Sequence, residues 1–171
     1  MVRDIVMMGD PVLRTPAKDV TVFDKDLAKL VADMFETMYH AEGIGLAANQ
    51  IGILKRILVI DVRDEDDPDA GRLVLINPRI VAATEQRDKE AEGCLSIPGI
   101  EEVVERPWGI QVEGVDEKGR QVQVEADALL ARALQHEIDH LDGILFIDRV
   151  SPLKRKLLMK KWKKSREEDQ E

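Results

Sequence analysis

The sequence has few aromatic residues and one cysteine, and these shortages exclude several classes of protein. Aromatic residues make up 4% of the 171 residues, so the core must be mainly aliphatic. Stacking platforms for single-stranded nucleic acid are therefore not expected. Because Cys94 is the single cysteine, no intramolecular disulfide can form. This usage is typical of a protein in the reducing cytoplasm.

Long apolar runs are also missing, which argues against a leader or a membrane anchor. Asp4 and Asp10 interrupt the N-terminal stretch, so it does not resemble a signal peptide. Apolar runs such as Ile57–Ile60 are far too short to span a bilayer. We expect a cytoplasmic protein with no membrane partner.

Charge is unevenly distributed along the chain. The content of 44% hydrophobic and 35% charged residues is typical of a globular protein, and the length predicts one domain over 1–171. The segment 151–171, a predicted basic helix with a ragged acidic end, has eight basic and four acidic residues. Its net charge is thus +4, and since the whole chain carries −9, the remainder carries −13. The acidic body would repel DNA, whereas the basic segment could contact RNA.

Hydrophobic periodicity predicts an α+β fold. Helical spacing predicts one helix over Asp24–Tyr39 that is ended by Gly43 and Gly45, another over Asp127–Gly143, and a third that starts at Ser151. Four strand-like segments lie between the first two helices, at 55–62, 72–81, 109–116 and 120–126, and the last two form a predicted hairpin. The acidic segment 64–71 is a predicted solvated connection, and Asp10 with Pro11 predicts a short helical turn. We therefore expect antiparallel sheets packed around a central helix, with an N-terminal and a C-terminal helix.

The stretch QHEIDHLDG gives the central helix its chemistry. His136 and His140 are four residues apart, so both side chains point the same way and can grip one metal ion. Leu129 and Ala133 continue this stripe and predict a pocket wall beside the imidazoles. Glu137 would lie close to whatever the metal binds and could accept a proton from a water there.

A third ligand is needed, because catalytic sites of this type use three protein ligands and one open position. Phe146 occupies the place where a metzincin has its third histidine, and Glu167 and Glu168 lie at the end of the lysine-rich tail. His40 is interpreted as an exposed histidine at a helix C-terminus. Cys94, in the predicted irregular segment EAEGCLSIPGIEE, offers a thiolate that suits a divalent transition metal. Spacing alone does not establish that it meets the helix.

Three segments together resemble the motifs of the bacterial peptide deformylase family. They are GIGLAANQIG, EGCLSIPG and QHEIDHLDG, and they occur in the family's order. The resemblance implies a hydrolase of protein biosynthesis that removes the formyl group from the initiator methionine of new polypeptides. It also implies one divalent metal ion per chain, ferrous iron in many members and zinc, nickel or cobalt in others.

The resemblance implies a role for each matching residue. Cys94, His136 and His140 match the metal ligands, and Glu137 matches the catalytic acid/base. The remaining matches are the oxyanion donors Gln50 (side-chain amide) and Leu95 (backbone N–H), the loop residues Ile44 and Gly45, and the methionine-pocket residues Leu129, Arg132 and Ala133.

Two positions depart from some members of the family. Arg132 is polar where some members have an aliphatic residue, although its alkyl stem can still cover an apolar pocket. Glu101 stands where some members have an arginine that touches substrate. Both departures concern substrate contacts and not the chemistry.

Two other functions are compatible with the residues alone. One is a metallopeptidase that cuts internal peptide bonds. The other is a non-catalytic Cys/His metal-binding domain, which would need His40 as a fourth ligand. These alternatives differ in whether the metal keeps an open position.

The C-terminal segment has two interpretations. Leu153, Leu157, Leu158 and Trp162 recur at helical spacing, so the helix could simply dock on the body with its lysines solvated. The resemblance implies a second role, since some deformylases dock on the ribosome through a C-terminal helix.

Overall fold

The computed structural model describes residues 1–63, 66 and 71–169. The acidic segment 64–71 and the last two residues of the tail therefore lie largely outside the described residues. The described part contains helices α1 (Lys25–His40), α2 (Ala128–Leu141) and α3 (Pro152–Asp169), and strands β1 (Gly45–Ala47), β2 (Ile57–Asp61), β3 (Arg72–Ala83), β4 (Arg87–Cys94), β5 (Ile97–Pro107), β6 (Gly109–Val115) and β7 (Gln121–Asp127). No helix in this part combines the length and apolar character that crossing a bilayer requires.

The strands form two antiparallel sheets. The larger has the order β1-β2-β3-β6-β7, and the smaller is the hairpin β4–β5. Strand β1 is an edge strand in which Gly45 lies opposite Ile60. The predicted hairpin of the last two strands is confirmed, with Val112 opposite Val124. The α+β class with antiparallel sheets is therefore confirmed.

Strand β2 is buried on both faces because a helix packs on each side of the large sheet. Leu58 packs in a cluster with Leu134 and Ile138 of α2. Val59, which points to the other face, packs in a cluster with Met34 of α1. This arrangement places α2 in the centre of the molecule, and every residue from 131 to 141 is buried.

Helix α1 begins as predicted and ends differently. The Asp24 side chain accepts a hydrogen bond from the Leu27 N–H at 3.0 Å and caps the helix. The helix ends at His40, and Glu42 rather than a glycine takes the left-handed conformation, with φ of 59°. The Asp10–Pro11 turn is confirmed as a short 3₁₀ helix over Pro11–Arg14.

The segment around Cys94 is not irregular, and this prediction was wrong. Cys94 is the last residue of β4 and lies opposite Ile97 of β5, after a break in register that follows Glu92. The sequence of β4, RDKEAEGC, contains no β-branched residue, so its strand character comes from pairing with β5. Strand β1 was missed because three residues are too few for a periodic pattern.

Helix α3 docks through two of its four predicted apolar residues. Its predicted start is confirmed, because the Ser151 hydroxyl accepts from the backbone N–H three residues on. Leu158 and Trp162 are buried in a cluster with Phe146, whereas Leu153 and Leu157 are 68% and 58% exposed. The last two face away from the body, so docking is confirmed for Leu158 and Trp162 but not for Leu153 and Leu157.

Candidate metal centre and active site

Helix α2 holds its two histidines side by side beneath the end of β4. The rings of His136 and His140 are both buried, and their centroids are 5.0 Å apart. Cys94 offers its Sγ 3.3 Å from Nε2 of His140. One ligand atom from each of the three residues lies within 4.8 Å of the others. The structure thus brings the three predicted ligand residues together.

The donor set fits a divalent transition metal. A thiolate with two imidazoles suits zinc, iron, nickel or cobalt, and three protein ligands leave one position open. Burial lowers the pKa of His140 well below its ordinary value, which favours the neutral imidazole that ligates metal. Burial also opposes charge on His136, but the nearby Glu137 carboxylate and the contacts with Cys94 and Glu92 raise its pKa well above the ordinary value. His40 lies exposed at the end of α1 and does not belong to the ligand group found among the described residues.

Glu92 organises the site from behind, and sequence reasoning missed this role. Its carboxylate accepts from Nδ1 of His136 at 3.0 Å, which directs the other ring nitrogen towards the ligand group. It also accepts two hydrogen bonds from Arg106, at 2.6 and 2.9 Å, and one from Arg132 at 2.5 Å. Burial alone would raise the pKa of Glu92, but hydrogen bonds from His136 and Arg106 lower it to about 2.

The ion pairs continue across α2 to the turn that follows it, where they reach the surface at Arg149. Arg106 donates to Asp139 at 3.0 Å, and Arg149 donates to the same carboxylate at 2.7 and 3.1 Å. This network joins the β4–β5 hairpin, helix α2 and the turn Phe146–Arg149. Glu92 lies inside the quoted motif two residues before Cys94, so proximity could have suggested it. Arg106 had no local signal, because only strand pairing brings it there.

Arg132 belongs to this network more than to the pocket. Besides Glu92, its guanidinium donates to the backbone carbonyls of Val104 at 2.8 Å and Asp88 at 2.9 Å. Both carbonyls belong to the β4–β5 hairpin. Since the charged end is bound there, only the alkyl stem remains to cover the cavity wall.

Glu137 is buried beside the predicted ligands and points at Gly45, the first residue of β1. Its Oε1 has no hydrogen-bond partner in the described structure. A Cβ atom on Gly45 would lie 2.6 Å from Oε2, so a glycine is needed for this close approach. Burial raises the pKa of Glu137 to about 7. A carboxyl group of this kind can both accept and donate a proton near neutral pH.

The side chain of Gln50 is held rigidly at the same place. Its Oε1 accepts from the Ala47 N–H at 2.9 Å, which fixes the direction of the amide. Its Nε2 lies 3.1 Å from Ser96 Oγ and 3.5 Å from Cys94 Sγ. The donor end of the amide therefore faces the ligand group.

A cavity of about 690 Å³ opens in front of these groups. Ten of the eleven predicted site residues line it, and His140 lies behind them at 1% exposure. Ala133 forms part of the inner wall, and Leu129 is half exposed. Glu101, the departure noted in the sequence, also lines the cavity.

Comparison with known proteins agrees with this geometry. The profile of the polypeptide deformylase family matches residues 2–156. A peptide deformylase of Rhizobium meliloti is 49% identical over 96% of this chain and 94% of its own, and one of Acidobacterium capsulatum is 51% identical over 96% and 95%. The crystal structure of peptide deformylase from Ehrlichia chaffeensis has a TM-score of 0.92 at 40% identity and covers 100% of both chains. A deformylase of Synechococcus elongatus, solved in complex with actinonin, has a TM-score of 0.87 at 48% identity over 93% and 86%.

These matches cover nearly the whole chain and include the β4–β5 hairpin, which carries Cys94, and helix α2, which carries His136 and His140. They far exceed what a shared fold alone would give, since the curated relatives are about half identical in sequence. The chain therefore belongs to the polypeptide deformylase family, whose members are metal-dependent hydrolases that remove the N-formyl group from newly made polypeptides.

Proposed function

We propose that this chain hydrolyses the formamide bond of N-terminal formylmethionine, with one divalent ion held by Cys94, His136 and His140. The observation that carries this proposal is the thiol and two imidazoles within 4.8 Å of one another at an open cavity, with the Glu137 carboxyl group beside them. A closed structural site would need a fourth protein ligand.

The chain's own residues divide the chemistry between them. The bound ion supplies Lewis-acid chemistry that activates water. Glu137 accepts the proton of the attacking water and passes it to the leaving amine, for which a pKa of about 7 is well suited. The Gln50 amide and the Leu95 backbone N–H donate to the oxyanion that develops on the formyl oxygen. Formate and a free α-amino group are the products.

Substrate would lie along the free edge of the large sheet. Strand β1 is an edge strand, so the backbone at Ile44 and Gly45 can pair with an extended peptide. Leu129, Ala133 and the stem of Arg132 line the same cavity and offer apolar contact to the methionine side chain.

We propose ferrous iron as the native ion. The support is the resemblance to deformylases together with the sulfur-and-nitrogen donor set, which also accepts zinc, nickel and cobalt. Elemental analysis of protein purified without oxygen tests this, and zinc as the only metal recovered from such protein would refute it.

Formate release tests the function itself. Anaerobically purified protein should release formate from formyl-Met-Ala-Ser and leave the unformylated twin peptide intact. Cleavage of internal peptide bonds in a longer formylated peptide would instead indicate a metallopeptidase. Metal retention without either activity would indicate a non-catalytic metal-binding domain, and His40→Ala would then have to abolish that retention.

A second proposal concerns where the enzyme works. We propose that α3 docks on ribosomal RNA in the cytoplasm, so that the site meets chains as they emerge. The exposed Leu153 and Leu157 stand on the outward face of the helix among basic side chains. Phosphate contacts by lysines would make docking weaken steeply with salt.

Charge reversal tests this docking. The triple change of Lys160, Lys163 and Lys164 to Glu should abolish co-sedimentation with ribosomes at low salt, with nearly unchanged activity on a short peptide. Lys161 is kept in this variant because it lines the cavity. The control reverses three exposed lysines elsewhere (Lys25, Lys29 and Lys118) and alters net charge equally. If the two variants bind ribosomes alike, or if the unaltered protein shows no salt-sensitive binding, α3 serves only the fold.

A further inference from the structure

The loop that joins α1 to β1 forms one wall of the cavity. Glu42, Gly43, Ile44 and Gly45 all line the cavity. The loop leaves α1 through a C-terminal capping turn, in which the Glu42 N–H donates to Tyr39 and the Gly43 N–H to Met38. Nothing in this turn fixes how far the loop projects over the cavity, so other contacts must set its position.

Two groups at the end of β2 hold the loop from behind. The backbone N–H of Asp61 donates to the Ile44 carbonyl at 2.9 Å, and Nη2 of Arg63 donates to the Gly43 carbonyl at 3.2 Å. Arg63 has a φ of 51°, a left-handed conformation that is uncommon for a residue other than glycine. The Asp61 carboxylate accepts from the Arg63 N–H at 2.9 Å and stabilises this conformation.

Tyr39 completes the support of this carboxylate. Its hydroxyl donates to Oδ2 of Asp61 at 2.5 Å, and the Arg63 guanidinium carbon lies 5.9 Å from the centre of its ring. Asp61 is 7% exposed, so it is a fixed, buried anchor, whereas Arg63 lies at the surface. Tyr39 and Asp61 thus hold the backbone at Arg63, and the Arg63 guanidinium reaches the Gly43 carbonyl of the loop.

The loop lies close to two residues with proposed catalytic roles, Leu95 and Glu137. A Cβ on Gly43 would lie 2.7 Å from Cδ1 of Leu95, and one on Gly45 would lie 2.6 Å from the carboxylate of Glu137. A displacement of a few tenths of an ångström at Gly43 would therefore change the width of the cavity between the loop and Leu95.

We propose that Arg63 is a positioning residue for substrate binding, because its guanidinium fixes the Gly43 carbonyl and with it the loop that receives the peptide. This inference rests on the proposed function of Ile44 and Gly45 as the edge that pairs with substrate. Arg63 contacts neither the ligand residues nor Glu137 in the described structure, so it should act on binding and not on the chemical step.

Arg63→Ala and Arg72→Ala form a matched pair. Arg72 is the first residue of β3 and lies opposite Asp61 of β2. Like Arg63 it lies over an aromatic ring, with its guanidinium carbon 4.0 Å from the centre of the Phe35 ring. Both variants lose one exposed positive charge, but Arg72 has no contact with the loop in the described structure. Arg63→Lys restores the charge and one donor.

Kinetics with formyl-Met-Ala-Ser and amide hydrogen exchange over 41–47 in the peptide-free protein decide the matter. For Arg63→Ala we expect KM to rise about two- to tenfold, the range that one hydrogen bond supports, with kcat changed less than about twofold. Exchange over 41–47 should accelerate, Tm should match that of Arg72→Ala, and Arg63→Lys should recover part of the KM.

Three results would overturn the proposal. They are equal KM for the two alanine variants, faster exchange with unchanged KM, and a joint loss of kcat and Tm in Arg63→Ala. Failure of the unaltered protein to release formate would refute the proposed function instead. The exchange comparison would still report whether Arg63 holds the loop.

Discussion

Glu92→Gln should weaken both the fold and the metal site, because one carboxylate serves both. The change keeps the side-chain shape but removes the negative charge that faces Arg106, Arg132 and the Nδ1 of His136. It also replaces one acceptor oxygen by an NH₂ group, which would point a donor at another donor.

The size of the effect follows from the burial of these charges. Glu92, Arg106 and Arg132 are 6%, 4% and 6% exposed, so neither guanidinium can recover its hydration when the carboxylate is lost. Breaking a buried pair of this kind costs about 3–5 kcal/mol. Because Arg106 keeps its contact with Asp139, we expect the low end, about 3 kcal/mol. Loss of the hydrogen bond to a ligand histidine should lower metal affinity about 10- to 100-fold.

Urea unfolding of the metal-free protein and competition with a chelator measure the two effects separately. The matched control is Glu102→Gln, since Glu102 lies directly opposite Glu92 in the hairpin and pairs with Lys154 at 3.5 Å nearer the surface. That control should cost less than about 1 kcal/mol. If Glu92→Gln unfolds like Glu102→Gln and holds metal equally well, the buried network does not order the site as argued.

Three further predictions concern the chemistry and its pH range. Glu137→Gln should retain metal in elemental analysis but lose about 10²–10⁴-fold in kcat, and activity within a factor of a few would exclude the acid/base role. The Cys94 thiolate should oxidise in air faster with iron than with nickel bound, which mass spectrometry of the peptide carrying Cys94 reports together with activity, and equal rates under peroxide would argue against a redox-labile iron site. The metal-free protein should lose stability as the pH falls below about 4.5 towards 2, because the pKa of Glu92 is lowered to about 2 in the folded state and the unfolded state binds the proton first. Urea titrations at two pH values check this, and an equal loss in Glu92→Gln would assign the effect to other groups.

The features that sequence predicted well are local ones. Helix α2 and its paired histidines follow from a 3.6-residue period and an i, i+4 spacing, which need no knowledge of the rest of the chain. The caps at Asp24 and Ser151 are also local, since each side chain bonds a backbone N–H three residues on. Cys94 lies 42 residues before His136, and its place at the site was identified from the resemblance and not from spacing.

The features that sequence missed depend on pairing between distant segments. Strand β4 is a charged segment whose strand form exists only because β5 pairs with it. Arg106 reaches Glu92 across that hairpin and Asp139 across to α2, so no short window of sequence contains the network. The buried face of α3 is another such case, because contacts with the rest of the chain bury Leu158 and leave Leu153 and Leu157 exposed.

The same network explains how the two elements that carry the three predicted donor residues are held against each other. Cys94 belongs to the hairpin and the histidines to α2, and Arg106 binds a carboxylate on each of these elements. Burying these charges costs desolvation, and well-packed apolar residues of similar volume could stabilise the fold more. Apolar residues, however, would leave the buried Nδ1 of His136 without an acceptor and its ring free to turn. The ion pairs are therefore better understood as fixing the distance and orientation between hairpin and helix, at some cost in stability, so that the predicted ligand atoms lie close together.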